Sequence, residues 1–165
     1  MSVSEGVSPT PRTWSVYLAG EIHSEWRERI ESGAREAGLP VSFSAPVTDH
    51  AASDDAGTGT LGEEADSFWR DHKGAGVNAI RTQTLIRGAD LVVVRFGDKY
   101  RQWNAAFDAG FAAALGKPIV SVHDAGLDHA LKEVDGAAQA TARESEQVVD
   151  VLRYVIRGEL PAGSA

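Results

Sequence analysis

Two short stretches bring chemically useful side chains together. Ala19-Gly-Glu-Ile-His23 supplies a carboxylate and an imidazole beside Gly20, and Gly97-Asp-Lys-Tyr-Arg-Gln-Trp-Asn104 supplies carboxylate, amide and aromatic groups. Asp108 follows Asn104 by one helical turn, which puts both near the start of the same helix and on the same side. A carboxylate so placed can attack an electrophilic carbon or stabilise positive charge developing there. Tyr100 and Trp103 are of the type that stacks on a nucleobase. Asn78 and Arg81, three residues apart, can hold a phosphate or carboxylate through the guanidinium fork. Tyr17, between Val16 and Leu18 on a strand, reads equally well as a core residue with a satisfied hydroxyl or as a site residue. Asp90 reads as a turn residue. The group Asp49, His50, Asp54 and Asp55 reads as a solvated acidic turn rather than a metal site.

The elements that must position these groups alternate. Trp14–Ala19 is a β-rich run ended by Gly20, and Ser24 opens a helix whose apolar residues Trp26, Ile30, Ala34 and Ala37 recur at helical spacing until Gly38 and Pro40. Val41–Ser44 is a second strand. The Gly, Asp, Ser and Thr-rich stretch from Ala45 to Gly62 has no period and reads as a loop, expected to close as a lid over the pocket. A short helix is expected around Glu63 to Arg70 and another over Val77 to Ile86, ending at Gly88. Leu91-Val-Val-Val-Arg-Phe96 is the strongest strand, apolar enough for the buried centre of a parallel sheet. A helix from Gln102 to Leu115 is expected to turn Trp103, Phe107, Phe111 and Leu115 to the core. Ile119–Val122 and Ala138–Ala142 complete the strands, and Ser145 is expected to cap a last helix through Ile156.

This alternation predicts a flavodoxin-like, doubly wound α/β fold: five parallel strands in the order 2-1-3-4-5, flanked by helices. Ligands of such sheets bind beyond the carboxyl ends of the strands where the winding reverses, here between the first strand and the Leu91–Phe96 strand. A single domain over residues 13–157 is expected, between a disordered tail (1–12) and a flexible C-terminus (158–165).

Composition excludes several alternatives. Among 165 residues, 16 Lys and Arg against 24 Asp and Glu give a net charge of −8, so a nucleic-acid polymer is an unsuitable partner. Six of those acids fall between Ala45 and Asp66, with no Lys or Arg among them. The absence of cysteine removes disulfides, thiolate metal sites and a cysteine nucleophile, and suits the cytoplasm. No apolar run approaches the roughly 20 residues that a membrane-spanning helix needs. The dinucleotide fingerprint, the phosphate loop, the G-x-S-x-G elbow and the H-E-x-x-H pair are all missing. No cofactor or metal is implied.

Several segments together resemble the YtoQ family, grouped with the nucleoside 2-deoxyribosyltransferases. They are Tyr17-Leu-Ala-Gly-Glu-Ile-His-Ser24, His50-x-x-Ser53-Asp54 with Leu61-Gly62, Asn78-x-x-Arg81, Phe96-Gly-x-Lys-Tyr-x-Gln-Trp-Asn104 through Asp108, and Gly116-Lys-Pro118. The resemblance runs from Thr13 to Arg157. It implies a flavodoxin-like enzyme that breaks and remakes the N-glycosidic bond of a nucleoside or nucleotide through a carboxylate nucleophile, the double displacement of retaining glycosidases. Asp108 stands where the wider superfamily places Glu, Asn104-Ala105 where it places Gly-Thr, and Gln102 where it places a leading Asp. Tyr17 matches its first-strand aromatic, and Thr82 falls where it has a base-contacting acid.

On this likeness Asp108, Tyr17 and Glu21 are the candidate catalytic residues. The candidate substrate contacts are Gly20, His23, His50, Asp54, Asn78, Arg81, Gly97, Asp98, Tyr100, Trp103 and Asn104. The expected ligand is a small nucleoside or nucleotide, with room for a homo-oligomer. An alternative from another class is a non-catalytic nucleotide-binding module on the same fold.

Overall fold

In the computed structural model, which describes residues 12–163, five strands form one sheet: β1 (Trp14–Gly20), β2 (Val41–Ser44), β3 (Leu91–Arg95), β4 (Ile119–Val122) and β5 (Ala140–Ala142). All pairings are parallel and the order is β2-β1-β3-β4-β5. The expected 2-1-3-4-5 sheet is therefore present, with β3 at its centre and Leu91 to Val94 buried. The alternation of side chains splits the core in two. Val16, Leu18, Leu91, Val93, Val120 and Val122 face α1 (Trp26–Glu36) and α7 (Ser145–Arg157). Tyr17, Ala19, Val92, Val94 and Ile119 face α4 (Ser67–Gly88) and α5 (Trp103–Ala114).

The ends of β1 and β3 meet tightly. Gly20 has φ +119°, and a Cβ there would lie 2.1 Å from the Arg95 carbonyl oxygen, so only glycine fits this end of the crevice.

The stretch read as a loop after β2 is largely helical. Asp49 caps α2 (His50–Asp54) by accepting from the Ala52 N–H at 2.8 Å, and α3 (Ala56–Leu61) follows at once. The two helices expected over residues 63–88 are one 22-residue helix, α4, capped by the Asp66 carboxylate on the Trp69 N–H. The residues between the two expected helices, Gly74 and Gly76 among them, continue the helix. Gly74 lets α3 approach, since a Cβ on Gly57 would lie 2.4 Å from the Gly74 nitrogen. Lys73 binds the whole corner by donating to the Gly62 carbonyl at 2.8 Å and pairing with Glu64 at 2.6 Å.

Two glycines of α3 should therefore respond with opposite signs. Gly57→Ala forces backbone apart and should destabilise by about 1–3 kcal/mol. Gly59→Ala meets nothing within 4 Å, and should stabilise by about 0.5–1 kcal/mol through its helix propensity. Chemical denaturation of both variants checks this.

Helix α5 buries a different side from the one expected. Ala105, Ala109 and Ala112 face the sheet, whereas Trp103 and Phe107 are each 69% exposed and Leu115 is 40% exposed. The helix is apolar nearly all round, so periodicity does not choose the face, and the small alanines let it sit close against the strands. Two caps also differ. Ser24 lies before α1 and gives its hydroxyl to Glu21 rather than capping. The cap of α7 is Glu144, in a capping box with Gln147, while buried Ser145 donates to the Trp26 carbonyl at 3.3 Å.

The expected disordered tail falls, apart from Arg12, on residues outside those described, as do the last two residues of the chain. Among the described residues no helix is long and apolar enough to cross a membrane.

Candidate active site

The reversal point between β1 and β3 opens into a cavity of about 530 Å³, within the range of small-ligand sites. Gly20 and Ile22 form its floor at the end of β1. His50, Ser53 and Asp54 of α2 form one wall, Asn78, Arg81, Thr82 and Gln83 of α4 a second, and Asn104, Ala105, Phe107 and Asp108 of α5 a third. Fold topology thus brings together seven of the candidates: Asp108, Gly20, His50, Asp54, Asn78, Arg81 and Asn104.

Asp108 is half-buried, and burial pushes its carboxyl up to about 6. Nearby, Tyr17 is fully buried, and its hydroxyl has no hydrogen-bond partner among the described residues. Burial is the main cause that pushes Tyr17 up to about 12; Thr82 draws the value down without completing a hydrogen bond, and the charge of Asp108 raises it further. The phenol therefore stays protonated at neutral pH, a donor available on the side of the sheet that carries α5.

The α4 wall carries two different kinds of group. Asn78 donates its amide to the Ser53 carbonyl at 2.9 Å and to the Ser53 hydroxyl at 3.2 Å, so it ties α2 to α4. Among the described residues Arg81 donates to the Ala45 carbonyl alone, at 3.3 Å, and is otherwise exposed along the cavity. His50 Nδ1 lies 3.0 Å from Asp54 Oδ2, an i,i+4 pair on the face of α2 toward the cavity.

Glu21 is buried and committed to the turn after β1. Its carboxylate accepts from the His23 N–H at 2.6 Å and from the Ser24 hydroxyl, and lies 3.5 Å from Arg95 Nε. Burial acts to raise its pKa, but the two hydrogen bonds and the nearby Arg95 and Arg27 outweigh it and hold the group below the usual range. Glu21 lies outside the Asp108 cavity, and its engaged oxygens make it a turn-forming residue.

His23, Tyr100 and Trp103 line a neighbouring cavity rather than the one with Asp108. Gly97 and Asp98 line neither. Gly97 packs behind Glu21, where a Cβ would lie 3.1 Å from Glu21 Cγ, and its N–H donates to Gln102 Oε1 at 3.2 Å; Asp98 is exposed to solvent. Asp90 is the turn residue expected, accepting from the Ser15 N–H at 2.9 Å and paired with Arg12.

Sequence reasoning missed Arg27. Its buried guanidinium donates to the carbonyls of Leu18, Glu21 and Gly20 at 3.1, 2.7 and 2.9 Å and lies over the Trp26 ring, fixing the end of β1 from the face opposite Asp108. It also missed buried His123, whose Nε2 lies 3.0 Å from both Asp135 oxygens at the β4 end of the sheet, away from the cavity. Among the described residues no three His, Asp or Glu side chains are grouped to hold a metal.

A family model described as nucleoside 2-deoxyribosyltransferase YtoQ matches residues 17–156. The uncharacterized protein YtoQ of Bacillus subtilis (strain 168) is 40% identical over 144 residues, covering 87% of this chain and 97% of that protein. Among solved structures, a conserved protein from Enterococcus faecalis V583 shares 15% identity with a TM-score of 0.60, over 87% of this chain and 99% of its own. A 2-deoxyribosyltransferase from Bacillus psychrosaccharolyticus shares 18% identity with a TM-score of 0.49, over 82% of this chain and 90% of its own.

Proposed function

The chain belongs to the nucleoside 2-deoxyribosyltransferase YtoQ family, and on that premise we propose that it cleaves the N-glycosidic bond of a nucleoside or nucleotide, with Asp108 as the attacking carboxylate. The observation that carries this reading is the carboxyl of Asp108 itself, half-buried in a cavity at the reversal point and, among the described residues, in no ion pair or side-chain hydrogen bond. Such a group is held at higher energy than in water and is poised to react with a developing cation.

In this reading an Asp108 oxygen bonds to the anomeric carbon, and the bond from that carbon to the base nitrogen breaks, its electron pair leaving with the base. Water or a second base then attacks the same carbon and releases the carboxylate, so the configuration at the sugar is retained. The protonated Tyr17 hydroxyl, which pairs with nothing among the described residues, is free to donate to a substrate held at Asp108. Arg81 meets the negative or polar end of the substrate. Asn78 and Glu21 hold the walls, the first by fastening α2 and the second by shaping the turn after β1.

Aspartate reaches about 1.5 Å less far than glutamate, and a misplacement of roughly 1 Å can cost on the order of 100-fold in rate. Transfer between ordinary deoxynucleosides is therefore expected to be slow or absent, and the main turnover to fall on another N-glycoside, with Asn104 reshaping the cavity beside Asp108. The test is release of free base, followed by chromatography, from a panel of ribo- and deoxyribonucleosides, their 5′-phosphates and dinucleotides. Release of base from at least one of them supports the reading. Stabilisation of the fold by panel members with no release at all would point to the binding module instead.

A further inference from the structure

We propose that the site has two chambers and takes an extended N-glycoside of the dinucleotide class, its sugar at Asp108 and its second nucleotide half beside Trp103. This rests on the reading of Asp108 above. The second chamber, of about 490 Å³, opens beside the first, and Gly20, Ile22, His50, Asn104 and Ala105 line both. A single nucleoside in the Asp108 chamber leaves this connected space unused.

The second chamber carries aromatic and cationic groups that suit a nucleotide, and the one carboxylate on its wall, Glu21, is already engaged by the His23 N–H and the Ser24 hydroxyl. Trp103 and Tyr100 stand 69% and 77% exposed at its wall, and exposed aromatic rings of this kind stack on bases with little regard to their identity. The His23 ring lies 5.0 Å from that of Tyr100, and the Arg101 guanidinium lies 5.8 Å from the centre of the Trp103 ring, where it supplies positive charge for a phosphate. The seam between the chambers carries the polar side chains of His50 and Asn104, suited to a charged linker. Tyr100 is also the one non-glycine residue with positive φ among those described, at +63°. A strained conformation of this type persists where its surroundings hold the side chain in a required place. Here the bend sets the ring against His23.

Titration calorimetry with the Asp108→Asn protein, which prevents consumption of the ligand, provides the test. Two matched pairs serve as probes: NAD against nicotinamide mononucleotide, and diadenosine diphosphate against AMP. In at least one pair the dinucleotide should bind tenfold or more tightly than its half. Trp103→Ala should bring that ratio to within twofold of one, and Trp103→Phe, which keeps an aromatic face, should hold it within threefold of its starting value. A ratio near one in both pairs, binding of neither member, or a ratio that survives Trp103→Ala overturns the proposal. Base release by the unsubstituted chain is measured separately. A ratio near one with Asp108-dependent release removes the second chamber and leaves the role of Asp108 standing, whereas a high ratio without release does the reverse.

Discussion

Asp108→Asn should abolish N-glycoside cleavage, lowering the single-turnover rate by roughly 10³-fold or more, because the amide keeps the shape of the carboxylate and loses its nucleophilic charge. Binding of the same substrate should persist. In the unsubstituted chain the rate should decline as pH falls through about 6, where Asp108 takes up its proton. Rapid-quench measurement of base release, with both proteins side by side, checks all three expectations. A variant that turns over within threefold of the original would remove Asp108 from the chemistry.

The same substitution should stabilise the fold, and the gain should depend on pH. Burial raises Asp108 from 3.8 to about 6, so in the folded chain it holds a proton that the unfolded chain gives up earlier. Below about pH 4 both states are protonated and the group is neutral in effect. As pH rises from there through 6, the folded state loses stability relative to the unfolded one, and the full penalty, on the order of 2–3 kcal/mol, is present above pH 6. Asn carries no such penalty. Its Tm should exceed that of the unsubstituted chain by on the order of 5 °C at pH 8 and converge with it near pH 4. Thermal unfolding across this range is the measurement, and a difference that does not change with pH would contradict the assignment of burial as the cause.

The sheet was legible because its signals are local. Leu91 to Val94 form an unbroken apolar run, as a strand covered on both faces requires, and each following helix is punctuated by glycine or proline. Asp108 was singled out by its place in the family resemblance, since its spacing from Asn104 alone fits an ordinary helix acid; the fold sets both residues on one cavity wall. What escaped depends on contacts between distant segments. The continuity of α4 through Gly74 shows only once Gly57 is seen pressed against it. The aromatic side of α5 reads as its core side until the residues buried deepest against the sheet are seen to be alanines, with Phe111 only partly covered. Glu21 reads as a reactive carboxylate because nothing in the sequence says that the His23 N–H and Ser24 hydroxyl occupy it. Arg27 acts through three carbonyls that converge only once β1 has ended at Gly20.

A covalent bond between Asp108 and a sugar would be read by mass spectrometry after acid quench. The protein is mixed with a saturating substrate that releases base, quenched within one turnover and digested. A mass increase equal to the glycosyl group is expected, mapped to the peptide containing Asp108 and absent from Asp108→Asn. Base release with no glycosylated species at any quench time, or a glycosyl group mapped to another carboxylate, would contradict it.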